Sequence, residues 1–138
     1  MNTNRITLIT LAVSDVGKSV SFYKALGWQI EVQQDEVAFF DTGGQKFGLY
    51  SRAKLAEDLG RSENDLGTGA MTLAQNFASP AEVDAAFAHA VEAGATICKA
   101  PEKVFWGGYS GTWADPDGHV WEYAHNPFWD LDDQGRIA

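Results

Sequence analysis

Cysteine is almost absent from this chain: Cys98 is the only one in 138 residues. A lone thiol cannot form an internal disulfide, which excludes a stapled secreted scaffold and points to the reducing cytoplasm. Basic residues are scarce as well, ten Lys and Arg against nineteen Asp and Glu, for a net charge of −9. They form no cluster able to neutralise phosphates, so nucleic acid and anionic membranes are excluded as partners. No apolar run approaches the ~20 residues needed to cross a bilayer. The N-terminal segment carries Asp15 and lacks the basic-then-apolar pattern of a secretory signal. Histidine is limited to His89, His119 and His125. There is no paired-cysteine zinc motif, no Ser-His-Asp spacing, and Gly107-Gly108 is too little for a nucleotide loop.

Hydrophobic residues make up 45% of the chain, enough to build one domain without staples. Residues 5–13 alternate as a strand, with Ile9, Leu11 and Val13 on one side and Leu8, Thr10 and Ala12 on the other. Ser14 or Asp15 caps a following helix whose apolar stripe is Val16, Val20 and Tyr23, continuing to Leu26, and Gly27 closes it. Strand-like runs follow at 28–33, 36–41 and 45–51. Residues 52–67 are a polar connector with a short helix near Lys54–Leu59.

The same order then repeats. Residues 69–77 alternate, with Met71, Leu73 and Phe77 on one face. Ser79-Pro80-Ala81-Glu82 is a capping box with proline at the first helical position. Val83, Ala86, Phe87, Ala90 and Val91 form the helix stripe, Gly94 ends it, and strands at 95–99, 109–114 and 119–125 complete the set. The chain thus holds two βαβββ units, at about 5–51 and 68–126, with a tail at 127–138. Asp41-Thr42-Gly43-Gly44 occupies the same turn as Asp115-Pro116-Asp117-Gly118. Four residues beyond each final glycine stand Gly48 and Glu122. Their neighbours Phe47 and Leu49, and Trp121 and Tyr123, face a helix-covered core, leaving Gly48 and Glu122 on the opposite face.

The segments LAVSDVGKSVSFYKALGW and DPDGHVWEYAHNPF resemble the vicinal oxygen chelate superfamily of glyoxalase I, extradiol dioxygenases and bleomycin resistance proteins. FWGGYSGTWADPDGHVWEYAHNP is similar to a glyoxalase-like subgroup whose members mostly lack an assigned reaction. The resemblance covers nearly the whole chain. It implies an α+β fold, two tandem βαβββ units forming a curved mixed sheet around a cleft, and a homodimer. Catalytic members hold a divalent metal between the units. Carried over residue by residue, the ligand positions fall on Leu8, Gly48, Ala70 and Glu122, of which Glu122 alone is a ligand type.

The expected ligand-binding set is therefore Leu8, Thr10, Gly48, Ala70, Thr72 and Glu122, edged by Trp106, Tyr109 and Trp113. Ala12 and Ala74 lie on the same faces. Glu122 is the polar anchor and the catalytic candidate. His89 reads as solvated and His119 as a turn residue. His125 falls on the strand face opposite Glu122, closing the core or capping the strand end. Cys98 reads as a small buried hydrophobe, and Phe128 and Trp129 as packed against the body, with the tail's acids in water. The second unit carries most of the negative charge, which favours a neutral or cationic ring-bearing ligand. The leading expectation is a small-molecule binding protein without a metal cofactor. Its alternatives are a lyase, isomerase or dioxygenase with a degenerate metal site, and a metal-independent proton-transfer enzyme using Glu122.

Overall fold

The computed structural model describes all 138 residues, which divide into two compact units, Met1–Gly67 and Thr68–Ala138. In the first, Asp15 accepts a 3.0 Å bond from the Lys18 amide and starts α1 (Val16–Ala25) directly after β1 (Leu8–Val13). The cap satisfies one of the amides that every helix start leaves unpaired. β2 (Ile30–Gln33), β3 (Val37–Asp41) and β4 (Lys46–Ser51) follow, then α2 (Arg52–Leu59) and a 3-10 turn at Glu63–Asp65. The sheet order is β1-β4-β3-β2, with β1 parallel to β4 and the remaining pairs antiparallel.

The second unit repeats this order. It comprises β5 (Thr72–Asn76), α3 (Pro80–Ala93), β6 (Thr96–Lys103), β7 (Tyr109–Ala114) and β8 (Val120–His125). Its sheet runs β5-β8-β7-β6, with β5 parallel to β8. Ser79 Oγ accepts from the Glu82 amide at 3.2 Å, and Glu82 Oε2 reaches back to the Ala78 amide at 2.8 Å. The capping box thus closes one residue further out than the usual pattern, in which the glutamate returns to the cap residue itself. Gly94, at φ 117°, ends α3 in the left-handed region where a side chain would be strained.

Each unit therefore has the tandem βαβββ architecture expected from the sequence, and each has its own four-stranded mixed sheet. The paired turns are also built alike. Asp41 Oδ1 accepts the Gly43 amide at 3.1 Å; Asp115 Oδ1 accepts the amides of Asp117 and His119 at 2.9 Å. No helix is long and apolar enough to cross a membrane.

The cores are aromatic. In the first unit Tyr23 meets Phe47 at 5.1 Å between ring centroids, and Trp28 packs edge-on to both Phe40 and Phe47. In the second, Trp113 and Trp121 stack at 5.8 Å with planes 12° apart, and Tyr123 packs edge-on to Trp113 at 5.4 Å. Such ring pairs add to the stabilisation that burial of their area already supplies. The stripe of α3 buries Val83, Phe87 and Ala90, half-buries Ala86 and leaves Val91 at the surface.

Several expectations about burial are corrected. Met71 lies before β5 and is exposed, because that strand begins only at Thr72. Cys98 is exposed, since β6 is an edge strand whose register with β7 shifts between Ile97 and Lys99. Phe128 and Trp129 are exposed rather than packed, at 76% and 51%. The tail beyond them closes a small hairpin by a bridge between Leu131 and Ile137. Asp132 Oδ1 there accepts the amides of Gln134 and Arg136 at 2.9 Å.

Neighbouring residues on β8 should therefore respond very differently to truncation. Trp121→Ala is expected to cost about 3–5 kcal/mol in urea unfolding, and Glu122→Ala less than about 1 kcal/mol. Equal losses at the two positions would contradict the alternation.

Candidate functional site

Glu122 sits on the central strand of its sheet, registered against Ala74 on β5 and Thr112 on β7. Its neighbours Trp121 and Tyr123 are buried, and strand alternation turns its own side chain to the other face. There it is half-buried, and no hydrogen bond or ion pair within the chain engages its carboxylate. Ala74 and Thr112 are small, so the carboxylate stands between low walls. An open recess of about 430 Å³ borders this row at Ala74 and is lined on its other side by Leu131, Gln134 and Ile137 of the tail hairpin.

The corresponding position in the first unit is built differently. Gly48 holds the same place on β4, between Thr10 on β1 and Phe39 on β3. It is buried, and a Cβ there would come 3.2 Å from the Phe39 ring and 3.4 Å from Thr10 Oγ1. The space beside Gly48, expected in the ligand-binding set, is thus occupied by a phenyl ring. Ala12 is buried, Thr10 half-buried, and Leu8 is at the exposed start of β1.

The registers also move one carried-over position. Leu8 pairs with Lys46, two residues before the Thr10–Gly48 pair. The equivalent pair, two residues before Ala74–Glu122, is Thr72–Val120. Thr72, not Ala70, is therefore the counterpart of Leu8; Ala70 is exposed and precedes β5.

Two of the three expected edge aromatics, Trp113 and Tyr109, are not on the face of Glu122. Trp113 is fully buried in the core, registered against Trp121, and cannot touch a ligand. Tyr109 is registered against His125, on the core side of the sheet, and its hydroxyl donates to Asp84 Oδ1 on α3 at 2.7 Å. That bond is the main reason its hydroxyl titrates above the usual tyrosine range. Trp106 is at the β6–β7 turn with its indole folded over Gly108, where any Cβ would collide with the ring. His89 is exposed on α3, and His119 is held at its turn by its amide bond to Asp115. His125 lies on the face opposite Glu122, as its spacing implied. Its Nδ1 is 2.9 Å from the Phe77 carbonyl, a contact no local pattern in the sequence signalled.

A family model described as the Glyoxalase/Bleomycin resistance protein/Dioxygenase superfamily matches residues 5–123. The chain belongs to that superfamily. Among solved structures it is similar to a glyoxalase-related enzyme from Fulvimarina pelagi, at 30% identity and a TM-score of 0.89, covering 98% of this chain and 97% of that one. It shares its fold with a glyoxalase/bleomycin resistance protein/dioxygenase family enzyme from Burkholderia phytofirmans, at 21% identity, a TM-score of 0.77 and coverage of 86% and 96%. It also shares it with a lactoylglutathione lyase from Agrobacterium tumefaciens, at 18% identity, a TM-score of 0.72 and coverage of 95% and 100%. No curated protein matches the sequence. The metal implied by the superfamily resemblance does not fit the side chains present. Leu8, Gly48 and Thr72 offer no imidazole or carboxylate, and no three of His, Cys, Asp and Glu gather within either unit.

Burial raises the Tyr123 hydroxyl to about 12. Between pH 10 and 12 the unfolded chain has lost this proton while the folded one retains it, so stability falls as pH rises through that window. Two pH units correspond to about 2–3 kcal/mol. Tyr123→Phe should remove that share of the decline in pH-dependent urea unfolding; an unchanged slope would contradict its burial.

Proposed function

We propose that this superfamily member binds a small neutral or cationic organic molecule against Glu122 and uses no divalent metal to do so. The observation that carries this reading is the unengaged, half-buried carboxylate on the face away from the aromatic core. Removing such a group from water without a partner is costly, and a cationic or hydrogen-bond-donating ligand offsets that cost. The small neighbours Ala74 and Thr112 leave room beside it, and a recess at the tail hairpin reaches the same row at Ala74. The acidic balance of the chain attracts cations rather than anions. Binding surfaces with few polar anchors among apolar groups are the usual form of small-molecule sites.

A second reading is proton transfer by Glu122 on a bound carbonyl compound. The same unpaired carboxylate supports it, because a general base must be free to reach its proton. A lyase or dioxygenase of the metal-dependent kind is disfavoured by the donor set, in which Glu122 alone could coordinate.

The test combines metal analysis of the purified protein with a thermal-shift screen of small aromatic ammonium compounds, each with and without chelator. Metal well below one equivalent and a Tm unmoved by chelator are expected. A ligand at a hundred times its Kd adds about 2.7 kcal/mol of stability, raising Tm by roughly 5–10 °C. Glu122→Gln should abolish that increase. Stoichiometric metal whose removal lowers Tm would overturn the metal-free reading.

The same reading takes the protein as a cytoplasmic homodimer. The single cysteine supports a reducing compartment, and the exposed rings of Phe105, Phe128 and Trp129 support self-association. Light scattering should give twice the 15.0 kDa chain mass, and Phe128→Asp should halve it. A wild-type monomer at tens of micromolar would remove the dimer from the proposal.

A further inference from the structure

On the core-facing side of the second unit's sheet, at the end away from the stacked tryptophans, lies a recess of about 240 Å³. It is lined by Pro80, Lys103, Val104, Gly108, Tyr109 and His125, together with the neighbouring glycine backbone. The volume is below the roughly 300 Å³ at which drug-sized pockets begin, so its occupant is the size of a single ring. The walls are mostly apolar, and two polar groups stand in them with unused bonding capacity.

One is His125. Its Nδ1 is 2.9 Å from the Phe77 carbonyl oxygen, and because a carbonyl can only accept, Nδ1 carries the proton. In the neutral ring this leaves Nε2 as an acceptor, and no group of the chain donates to it. The tautomer and the ring plane are thus fixed by the backbone, as in imidazoles that are held ready for a ligand. The other is Lys103, whose ammonium enters no ion pair. Glu102 beside it is taken by Lys99 at 2.8 Å, and Asp84 accepts from Tyr109 at 2.7 Å. Lys18 and Lys24 also enter no ion pair, but of these lysines Lys103 alone lines this recess, so its charge is available to an anion there.

We propose that this recess is a second small-molecule site, which takes a single-ring aromatic acid bearing a hydroxyl. The hydroxyl donates to His125 Nε2, the ring lies against Val104 and Pro80, and the carboxylate meets Lys103. The ligand class is opposite in charge to the one proposed for Glu122, and the two sites occupy opposite faces of one sheet. Neither depends on the other.

The probe is 4-hydroxybenzoate, followed by the ring nitrogen and carbon-bound proton signals of His125 in NMR titration. A saturable shift of Nε2 is expected with a Kd of about 1 mM or below, the range open to a fragment of about ten non-hydrogen atoms. Benzoate, lacking the hydroxyl, and phenol, lacking the carboxylate, should each bind about fivefold to tenfold more weakly. Lys103→Gln, a surface change that leaves the fold intact, should weaken 4-hydroxybenzoate by a similar factor. Glu122→Gln should leave its binding unchanged, which separates this site from the one on the other face. The proposal fails if no saturable His125 shift appears up to about 10 mM. It also fails if Lys103→Gln binds as tightly as the unmodified chain.

Discussion

Trp121 lies flat against Trp113, and the two-residue period of a β-strand does the rest. With Trp121 and Tyr123 held in the core by this stack and by the edge-on contact with Trp113, β8 has no freedom to slip by one residue. A slip would bring Glu122 into the aromatic core, where an unpaired carboxylate is far more costly than at a half-open face. The same period sets His125 on the side of the rings and gives the sheet two chemically different surfaces. One carries a bare carboxylate among small residues; the other ends in a row of His125, Tyr109 and Lys103 across three strands.

The two units show how a duplicated framework has diverged at equivalent positions. The turn before each central strand is closed by an aspartate in the same manner. Four residues further on, one unit has Gly48 with a phenyl ring lying over it, and the other has Glu122. Restoring a side chain at Gly48 requires Phe39 to move by a few tenths of an ångström or more. In the first unit this position is taken up by packing against Phe39 and Thr10. Thr72 at the counterpart of Leu8 and the absence of any gathered imidazoles complete that picture on the side of β5. Membership of the superfamily therefore accounts for the framework.

Most of this framework was legible from residue order. Asp15 and the Ser79-Pro80 pair announce helix starts by chemistry that acts within one turn, and the stripes Val16-Val20-Tyr23 and Val83-Phe87-Ala90 are periodicities of the helix itself. Strand alternation was equally reliable on β4 and β8, where both neighbours of the residue in question are large. It was less informative where pairing between strands decides the outcome. The start of β5 is set by its partner β8, so local alternation points to Ala70 where the register requires Thr72. For Trp113 and Tyr109, aromatic content alone does not say which face a ring occupies. The registers of β7 against β8 do. Cys98 looked buried by its apolar neighbours, but an edge strand leaves such residues in water. The bond from His125 to Phe77 spans forty-eight residues and has no local signature.

The two proposed ligand classes differ in charge and belong to opposite faces of a single four-stranded sheet, one resting on the unengaged carboxylate of Glu122 and the other on the free Nε2 of His125 together with Lys103. The central claim concerns Glu122: a free carboxylate at the family's ligand position, serving an organic ligand and not a metal ion. It is tested most directly by the carbon-13 signal of the Glu122 carboxyl group during titration with paramagnetic Mn²⁺. If Glu122 is no part of a metal site, its signal broadens no more than that of the exposed Asp130 in the tail. Selective loss of the Glu122 signal at substoichiometric Mn²⁺, with Asp130 still sharp, would contradict the claim.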